Sequence, residues 1–375
     1  MSIPLEKSRP QVAEATRFAR AFSNGINPRM NKGTQLKNKT PDSKIAPEGG
    51  LDDQVLDLAL RPKNFTEYIG QERVKDNLKI MLGAAKKRNE TIEHLLLHGP
   101  SGLGKTTLAY LIAKELGSSI KITSGTALEK AGDVGSILTG LNDGDVLFID
   151  EVHRLNKAVE EVIYPAMENF KLDIIIGKGT SAKTLQIDLP RFTLIAATTK
   201  ISMLSSPFRS RFGINFRLGF YSQEDIEKIV SRSAKLLKIQ INKEAVEIVA
   251  KASRFTPRIA NRLLKRVRDY AEVKDCLIVD RLNATEALKM LDIDDQGLEE
   301  TDRKILQTIA NTFKGGPVGL KAVAAAISEE ENTIEDVYEP YLIQIGFMAR
   351  TPKGRVVTRQ GMKHIGIKDI FDEFA

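Results

Sequence analysis

Cysteine is almost absent from this chain of 375 residues: Cys276 is the only one. A lone thiol can form neither an internal disulfide nor a thiolate metal cage, so a reducing, cytoplasmic setting is expected. Long apolar runs are absent too. No stretch approaches the roughly 18 residues of a membrane-spanning helix, and no apolar segment of about 7 to 15 residues follows the first basic residues. A soluble, unsecreted protein with no membrane partner is the expectation. An acidic excess is also missing, since the formal net charge is +7. Most of it lies in residues 1–44, where nine Lys or Arg face Glu6, Glu14 and Asp42. The remainder is close to neutral, so any nucleic-acid argument must come from local clusters.

What is present is ordinary globular material, 42% hydrophobic and 28% charged residues, enough for real cores. The length suggests two or three domains. Residues 1–50 are rich in Asn, Lys, Pro, Ser and Gly without a sustained period and read as a basic flexible extension. Residues 51–219 alternate apolar runs (Leu95 to Leu97, Val146 to Ile149, Phe192 to Ala197) with amphipathic stretches, the pattern of an α/β domain with a parallel sheet. Residues 220–296 carry three helical periods, opened by Ser222 with Asp225, by Asn242 and by Thr256-Pro257, and predict an all-helical domain. Residues 297–375 predict three helices, at 302–313, 319–327 and 333–345, and a two-stranded ribbon around Arg350 to Arg355, a winged helix. The third helix is expected to start from Asn332 with Glu335 in a capping box.

The strongest chemical signal is Gly99-Pro100-Ser101-Gly102-Leu103-Gly104-Lys105-Thr106-Thr107, between an apolar strand and a helical stretch. It matches the phosphate-binding loop, whose glycines turn backbone amides inward around phosphate oxygens at a helix N-terminus. Lys105 is expected on the β- and γ-phosphates of ATP, and Thr106 on Mg²⁺. Further on, Val146 to Ile149 runs into Asp150 and Glu151. Carboxylates at that strand end suit metal holding by Asp150 and water polarisation by Glu151. Thr198 and Thr199 close another apolar run, where a hydroxyl faces a γ-phosphate. Arg209 and Arg211 lie on a short turn from which a guanidinium can reach a neighbouring subunit's nucleotide. Arg258 opens a helix from which it can reach back in cis. It belongs to a basic group with Arg254, Arg262, Lys265, Arg266 and Arg268, read as nucleotide sensing or subunit contact before DNA.

Leu60-Arg61-Pro62, Glu67-Tyr68-Ile69-Gly70-Gln71, the phosphate loop, Phe148 to Arg154, Leu204 to Gly213, Thr256 to Leu264 and Gly315 to Leu320, in this order, resemble the RuvB family of AAA+ motors for Holliday-junction branch migration. The resemblance spans about Leu51 to Ile367. It implies an AAA+ P-loop domain followed by an all-helical lid and a C-terminal winged helix. It implies that Leu60, Arg61 and Tyr221 clasp adenine and ribose, that Gly102, Lys105, Thr106 and Thr107 hold phosphates and Mg²⁺, and that Glu168, Asn169 and Phe170 belong to nucleotide binding. Thr199 is similar to the first sensor, Arg258 to the second and Arg211 to the arginine finger, with Arg209 as the substitute.

The stretch Leu172 to Leu189 reads physically as a β-hairpin with an apolar face, by itself a plain extension of a sheet. The resemblance implies that this hairpin docks on RuvA, with the resolvase RuvC as a further partner and a homo-oligomeric ring, a hexamer, as the assembly. Residues 344–368 hold Arg350, Lys353, Arg355, Arg359, Lys363 and Lys368 and no acid. Cations on a wing sit on successive phosphates and position a duplex without reading its sequence. Arg350 and Arg355 resemble the family's DNA contacts. Glu331 departs from it, standing where family members carry Arg, which removes a cationic contact at that place. Two rivals stay open: a replication initiator acting as an ATP-switched DNA binder, and a clamp loader or protein remodeller, which has no need of Arg350 and Arg355.

Overall fold

The strand residues alternate between two cores. In a computed structural model describing residues 58–176 and 183–367, Leu95, Leu97, Val146, Phe148, Ile195 and Ala197 face one hydrophobic cluster, while Leu96, Leu147, Ile149, Leu194 and Ala196 face another. A period of two with both faces apolar is what a sheet covered on both sides by helices requires. The sheet has five parallel strands in the order β2-β3-β6-β1-β7. They are β1 (Leu95–His98), β2 (Ile120–Ser124), β3 (Val146–Asp150), β6 (Thr193–Thr198) and β7 (Ile214–Arg217). Helices α1 (Glu72–Arg88) and α2 (Lys105–Leu116) fill the first cluster; α3 (Ala131–Thr139) and α4 (Lys157–Asn169) fill the second. The basic extension 1–50, the loop Gly177-Lys178-Gly179 and Lys368 lie outside the described residues.

Strands β2 and β7 are absent from the apolar runs noted above. Both lie at sheet edges and both alternate with polar residues, Lys121 and Thr123 in one, Asn215 and Arg217 in the other. An edge strand needs no continuous apolar run, which is why it left no such mark. Strands β4 (Lys171–Ile176) and β5 (Lys183–Asp188) pair antiparallel as a separate two-stranded sheet, so this hairpin is not an extension of the main one. Its root is packed through Leu172 and Leu189, whereas Leu185 is half-exposed farther out.

The helical unit has four helices, not three: α6 (Gln223–Leu236), α7 (Lys243–Ala252), α8 (Pro257–Val273) and α9 (Arg281–Met290). The last was missed because Leu282 and Met290 point to solvent and blur its apolar period. The expected caps are present. Ser222, Asn242 and also Asp280 accept the N3 amide, each a bond that stabilises by about 1 kcal/mol. Pro257 takes the first turn of α8, where no amide donor is needed. This unit shares its core with the sheet domain through Leu218, Tyr221 and Ile226. Short helix α5 (Ser206–Arg209) precedes β7.

The third unit packs α10 (Glu300–Asn311), α11 (Leu320–Ile327) and a composite helix over 331–344 against a ribbon of β8 (Met348–Thr351) and β9 (Gly354–Val357). The composite helix begins at Glu331, one residue before the expected cap, and passes through a π-helical Ile334–Tyr338. Asn332 caps nothing, because it lies inside the helix, whose N-cap is Glu330; Glu335 is turned to the ribbon, 3.1 Å from Arg350. Val318 pairs with Arg355 as a third, minimal strand. No helix among the described residues is long and apolar enough to cross a membrane.

Candidate functional site

The C-terminal ends of β1, β3 and β6, neighbours around the centre of the sheet, deliver the phosphate loop, Asp150-Glu151 and Thr198-Thr199 to one place. The loop is held from several sides. Tyr221 Oη donates to the Leu103 carbonyl at 3.2 Å and lies 3.3 Å from Tyr68 Oη; burial pushes the Tyr221 phenol up to about 12. Gly102 has φ 79°, and a Cβ there would stand 3.2 Å from Cβ of Arg258. The positive φ favours glycine at this place in the loop, and Arg258 of the helical unit packs close over it.

Lys105 is buried, with Nζ donating to the carbonyls of Gly99 (2.8 Å) and Pro100 (2.9 Å). Burial lowers its pKa, Glu151 and Asp150 push it back up, and Arg258 lowers it again. Thr106 Oγ1 donates to Asp150 Oδ2 at 3.0 Å, and Asp150 Oδ1 accepts the Glu151 amide. One hydroxyl and one carboxylate, side by side, are the oxygen donors a small hard cation takes. Glu151 has a left-handed backbone, φ 47°, and Thr199 Oγ1 donates to its Oε2 at 3.2 Å. Thr107 is half-buried in the first turn of α2. Leu60 is buried, with its carbonyl accepting from Arg232, and the Arg61 guanidinium lies 5.4 Å from the centre of the Tyr110 ring. His153, quoted in the motif but given no role, lies against Glu151 and Thr198. Lys200 was also overlooked; it pairs with Asp336 of the third unit at 2.7 Å.

Four expected nucleotide residues are elsewhere in the chain's own fold. Phe170 meets the His94 and Phe192 rings edge-on at the start of β1 and β6, the far end of a sheet whose β1 rises roughly 13 Å over its length. Arg211 goes with this group. Its guanidinium lies 4.3 Å over Tyr164, its Nε 3.1 Å from Glu168, and it donates to the Pro207 carbonyl. Asn169 is exposed beside them. Glu168, Asn169, Phe170 and Arg211 are thus together but not at the phosphate loop of the same chain. Arg209 is exposed on α5.

The basic group around α8 is not a surface patch. Arg254 is buried in an ion pair with Asp302, Lys265 is buried, Arg262 pairs with Glu299, and Arg266 and Arg268 pair with Asp269. The wing is likewise balanced. Arg350 and Arg355 reach Glu339 at 2.7 and 3.0 Å, and Arg350 reaches Glu335. The hydrogen bond to Glu339 raises the Arg350 pKa further. Residues 344–368 contain no acid, but the preceding helix supplies two, so these arginines are not free cations. Lys353 is exposed at the turn between β8 and β9.

Family models match nearly all of the described chain, in order: the Holliday junction DNA helicase RuvB P-loop domain over 60–218, the RuvB AAA lid domain over 221–294 and the RuvB C-terminal winged helix domain over 295–366. The chain is 54% identical over 323 residues to the Holliday junction branch migration complex subunit RuvB from two strains of Clostridium kluyveri, covering 86% of this chain and 92% of theirs. A solved structure of Thermotoga maritima RuvB, described as a Holliday junction branch migration motor, is 51% identical, with a TM-score of 0.77 over 83% of this chain and 99% of that one. The α/β P-loop domain, helical lid and winged helix are therefore those expected, and this chain belongs to the RuvB family.

Proposed function

We infer that this protein is an ATP-hydrolysing motor that moves double-stranded DNA to drive branch migration of Holliday junctions. One observation carries the reading: Lys105, the Thr106–Asp150 pair, the Thr199–Glu151 pair and Arg258 from the lid converge on a phosphate loop in a RuvB-family chain. Lys105 binds the β- and γ-phosphates, replacing its bonds to Gly99 and Pro100 by stronger ones to anionic oxygen. Glu151 orients and polarises the attacking water, with Thr199 holding its carboxylate. Thr106 and Asp150 would hold Mg²⁺, which would supply neutralisation of phosphate charge. Gly102 and Thr107 contribute phosphate contacts, and Leu60, Arg61 and Tyr221 flank the adenosine.

Arg211, grouped with Glu168, Asn169 and Phe170 away from the chain's own loop, acts on the nucleotide of the next subunit in a ring, which we take to be a hexamer. Arg258 then senses the γ-phosphate in cis, so its loss changes the angle between sheet domain and lid, and the winged helix carries that motion to DNA through Arg350, Lys353 and Arg355. The hairpin 172–189 docks on RuvA, and RuvC resolves the migrated junction. Functional units are assigned to 1–50, 51–219, 220–296 and 297–375. The test is separation of a labelled synthetic four-way junction with RuvA from the same source. Forked duplexes formed only with hydrolysable ATP are expected; ATP-tightened binding of particular duplex sequences without strand movement would point to an initiator instead.

A further inference from the structure

The short 3-10 turn Val152–Arg154 after β3 places an imidazole beside the carboxylate to which hydrolysis is assigned. The side chain of His153 is only 7% exposed. Its Nδ1 lies 2.9 Å from Thr198 Oγ1 and 3.2 Å from Glu151 Oε2. The proton on this nitrogen follows from its neighbours. An ionised Glu151 can only accept, and Thr198 Oγ1 already accepts the Lys200 amide at 3.0 Å while retaining capacity for a second donor. An Nδ1 lone pair would face the carboxylate repulsively, whereas Nδ1–H donates to Thr198 Oγ1 and turns the positive edge of the ring toward Glu151 Oε2. Burial lowers the His153 pKa, with the nearby Arg154 and Lys200 acting in the same direction and Glu151 and Asp336 opposing it. The ring at neutral pH is therefore a neutral donor.

We propose that His153 is a positioning residue for ATP hydrolysis, holding the Glu151 carboxylate between the Nδ1 edge of its ring, anchored on Thr198, and the Thr199 hydroxyl. The proposal rests on Glu151 being the group that polarises water. Glu151 leaves β3 in a left-handed turn, and its side chain takes its hydrogen bond from Thr199 just beyond β6. The Thr199 hydroxyl donor and the Nδ1 edge of His153 lie against the same oxygen, one from each of the strand ends β6 and β3, and leave the other oxygen, Oε1, to face the water. Removing either one lets the carboxylate swing, and a misplacement of about 1 Å costs on the order of 100-fold in rate.

The test compares His153→Leu, His153→Asn and Glu151→Gln in the full chain by steady-state ATPase with linear duplex DNA, with fluorescent-nucleotide affinity and thermal midpoint measured alongside. Leucine fills the volume without a donor; asparagine puts an amide N–H close to where Nδ1–H stands. The expected result is a roughly 10- to 100-fold loss of kcat in His153→Leu with nucleotide affinity and KM near normal, and recovery of most of kcat in His153→Asn. Full turnover in His153→Leu overturns the positioning role, and so does equal loss in both variants with a lowered thermal midpoint, which marks packing only. Glu151→Gln separates the two inferences. If it hydrolyses ATP normally, the assignment of Glu151 itself falls; if it is inactive while His153→Leu is not, only the role of His153 falls.

Discussion

Charge balance on the wing leads to a measurable salt dependence. Arg350 and Arg355 are matched by Glu335 and Glu339, so the cluster is formally neutral. Glu339 is 1% exposed and fixed between both guanidinium groups, whereas Glu335 is 40% exposed and sits on the outer side. Changing Glu335→Gln turns the neutral cluster into one of charge +1 while leaving the buried pair intact, and it costs at most about 0.5 kcal/mol of stability because exposed pairs are worth little. If the wing meets phosphates, one more effective charge steepens the slope of log K against log salt by about 0.9. Over a fourfold rise in salt, from about 50 to 200 mM, that amounts to an additional loss of affinity of about 3.5-fold relative to the parent protein. Fluorescence anisotropy with a labelled duplex across that range reads it directly. Arg350→Ala should shift the slope the other way by a similar amount. An unchanged slope in Glu335→Gln, with the thermal midpoint also unchanged, would refute a phosphate contact by the wing arginines. Arg350→Ala and Arg355→Ala each strip a partner from the buried Glu339 and mix binding with folding, so Glu335→Gln is the cleaner variant.

Lys105→Ala should abolish ATP turnover with the thermal midpoint preserved, and normal turnover would remove the phosphate-loop assignment. Arg211→Ala should bind nucleotide but not hydrolyse it; mixing it with the inactive Glu151→Gln should restore part of the activity if the arginine acts across subunits, and no restoration argues for action in cis. Asp302→Ala should weaken docking of the winged helix on the lid by about 3 to 5 kcal/mol, because it leaves Arg254 buried without its carboxylate, and hydrogen exchange around α10 would report it. His94 is buried, donating from Nε2 to the Met167 carbonyl and accepting the Leu194 amide at Nδ1, and burial lowers its pKa from the ordinary 6.5. The unfolded chain then binds the proton more readily, so this contribution to stability is full above about pH 6.5 and is lost as pH falls through the lowered folded value. A thermal midpoint that drops on acidification, and drops less in His94→Gln, checks the sign.

The phosphate loop, Asp150-Glu151 and the central strands were legible because each needs an uninterrupted local pattern: glycines at fixed spacing, or apolar residues buried on both faces. Edge strands β2 and β7 and helix α9 were not, since their polar or exposed positions interrupt that pattern. Side-chain pairing was the least legible of all. Charge along residues 344–368 suggested a naked cationic wing, yet its counter-ions come from a helix ten or more residues earlier, and no local pattern encodes which face that helix turns to the ribbon. His153 was visible as a residue and invisible as a contact, because its partner Thr198 arrives from a strand 45 residues away.

The Lys200–Asp336 pair closes the protein into a mechanical triangle. The sheet domain shares an apolar core with the lid, the buried Arg254–Asp302 pair ties the lid to the winged helix, and the Lys200–Asp336 pair links the winged helix back to the end of β6. Two sides of this linkage are buried contacts and the third is a partly exposed ion pair worth about 1 kcal/mol or less. A frame of that kind cannot change one angle alone: when the lid turns on the sheet domain, the weak bar parts first. Salt or a single substitution at Asp336 would loosen the frame at that corner, so the ease with which the winged helix swings becomes a quantity set by one surface charge pair.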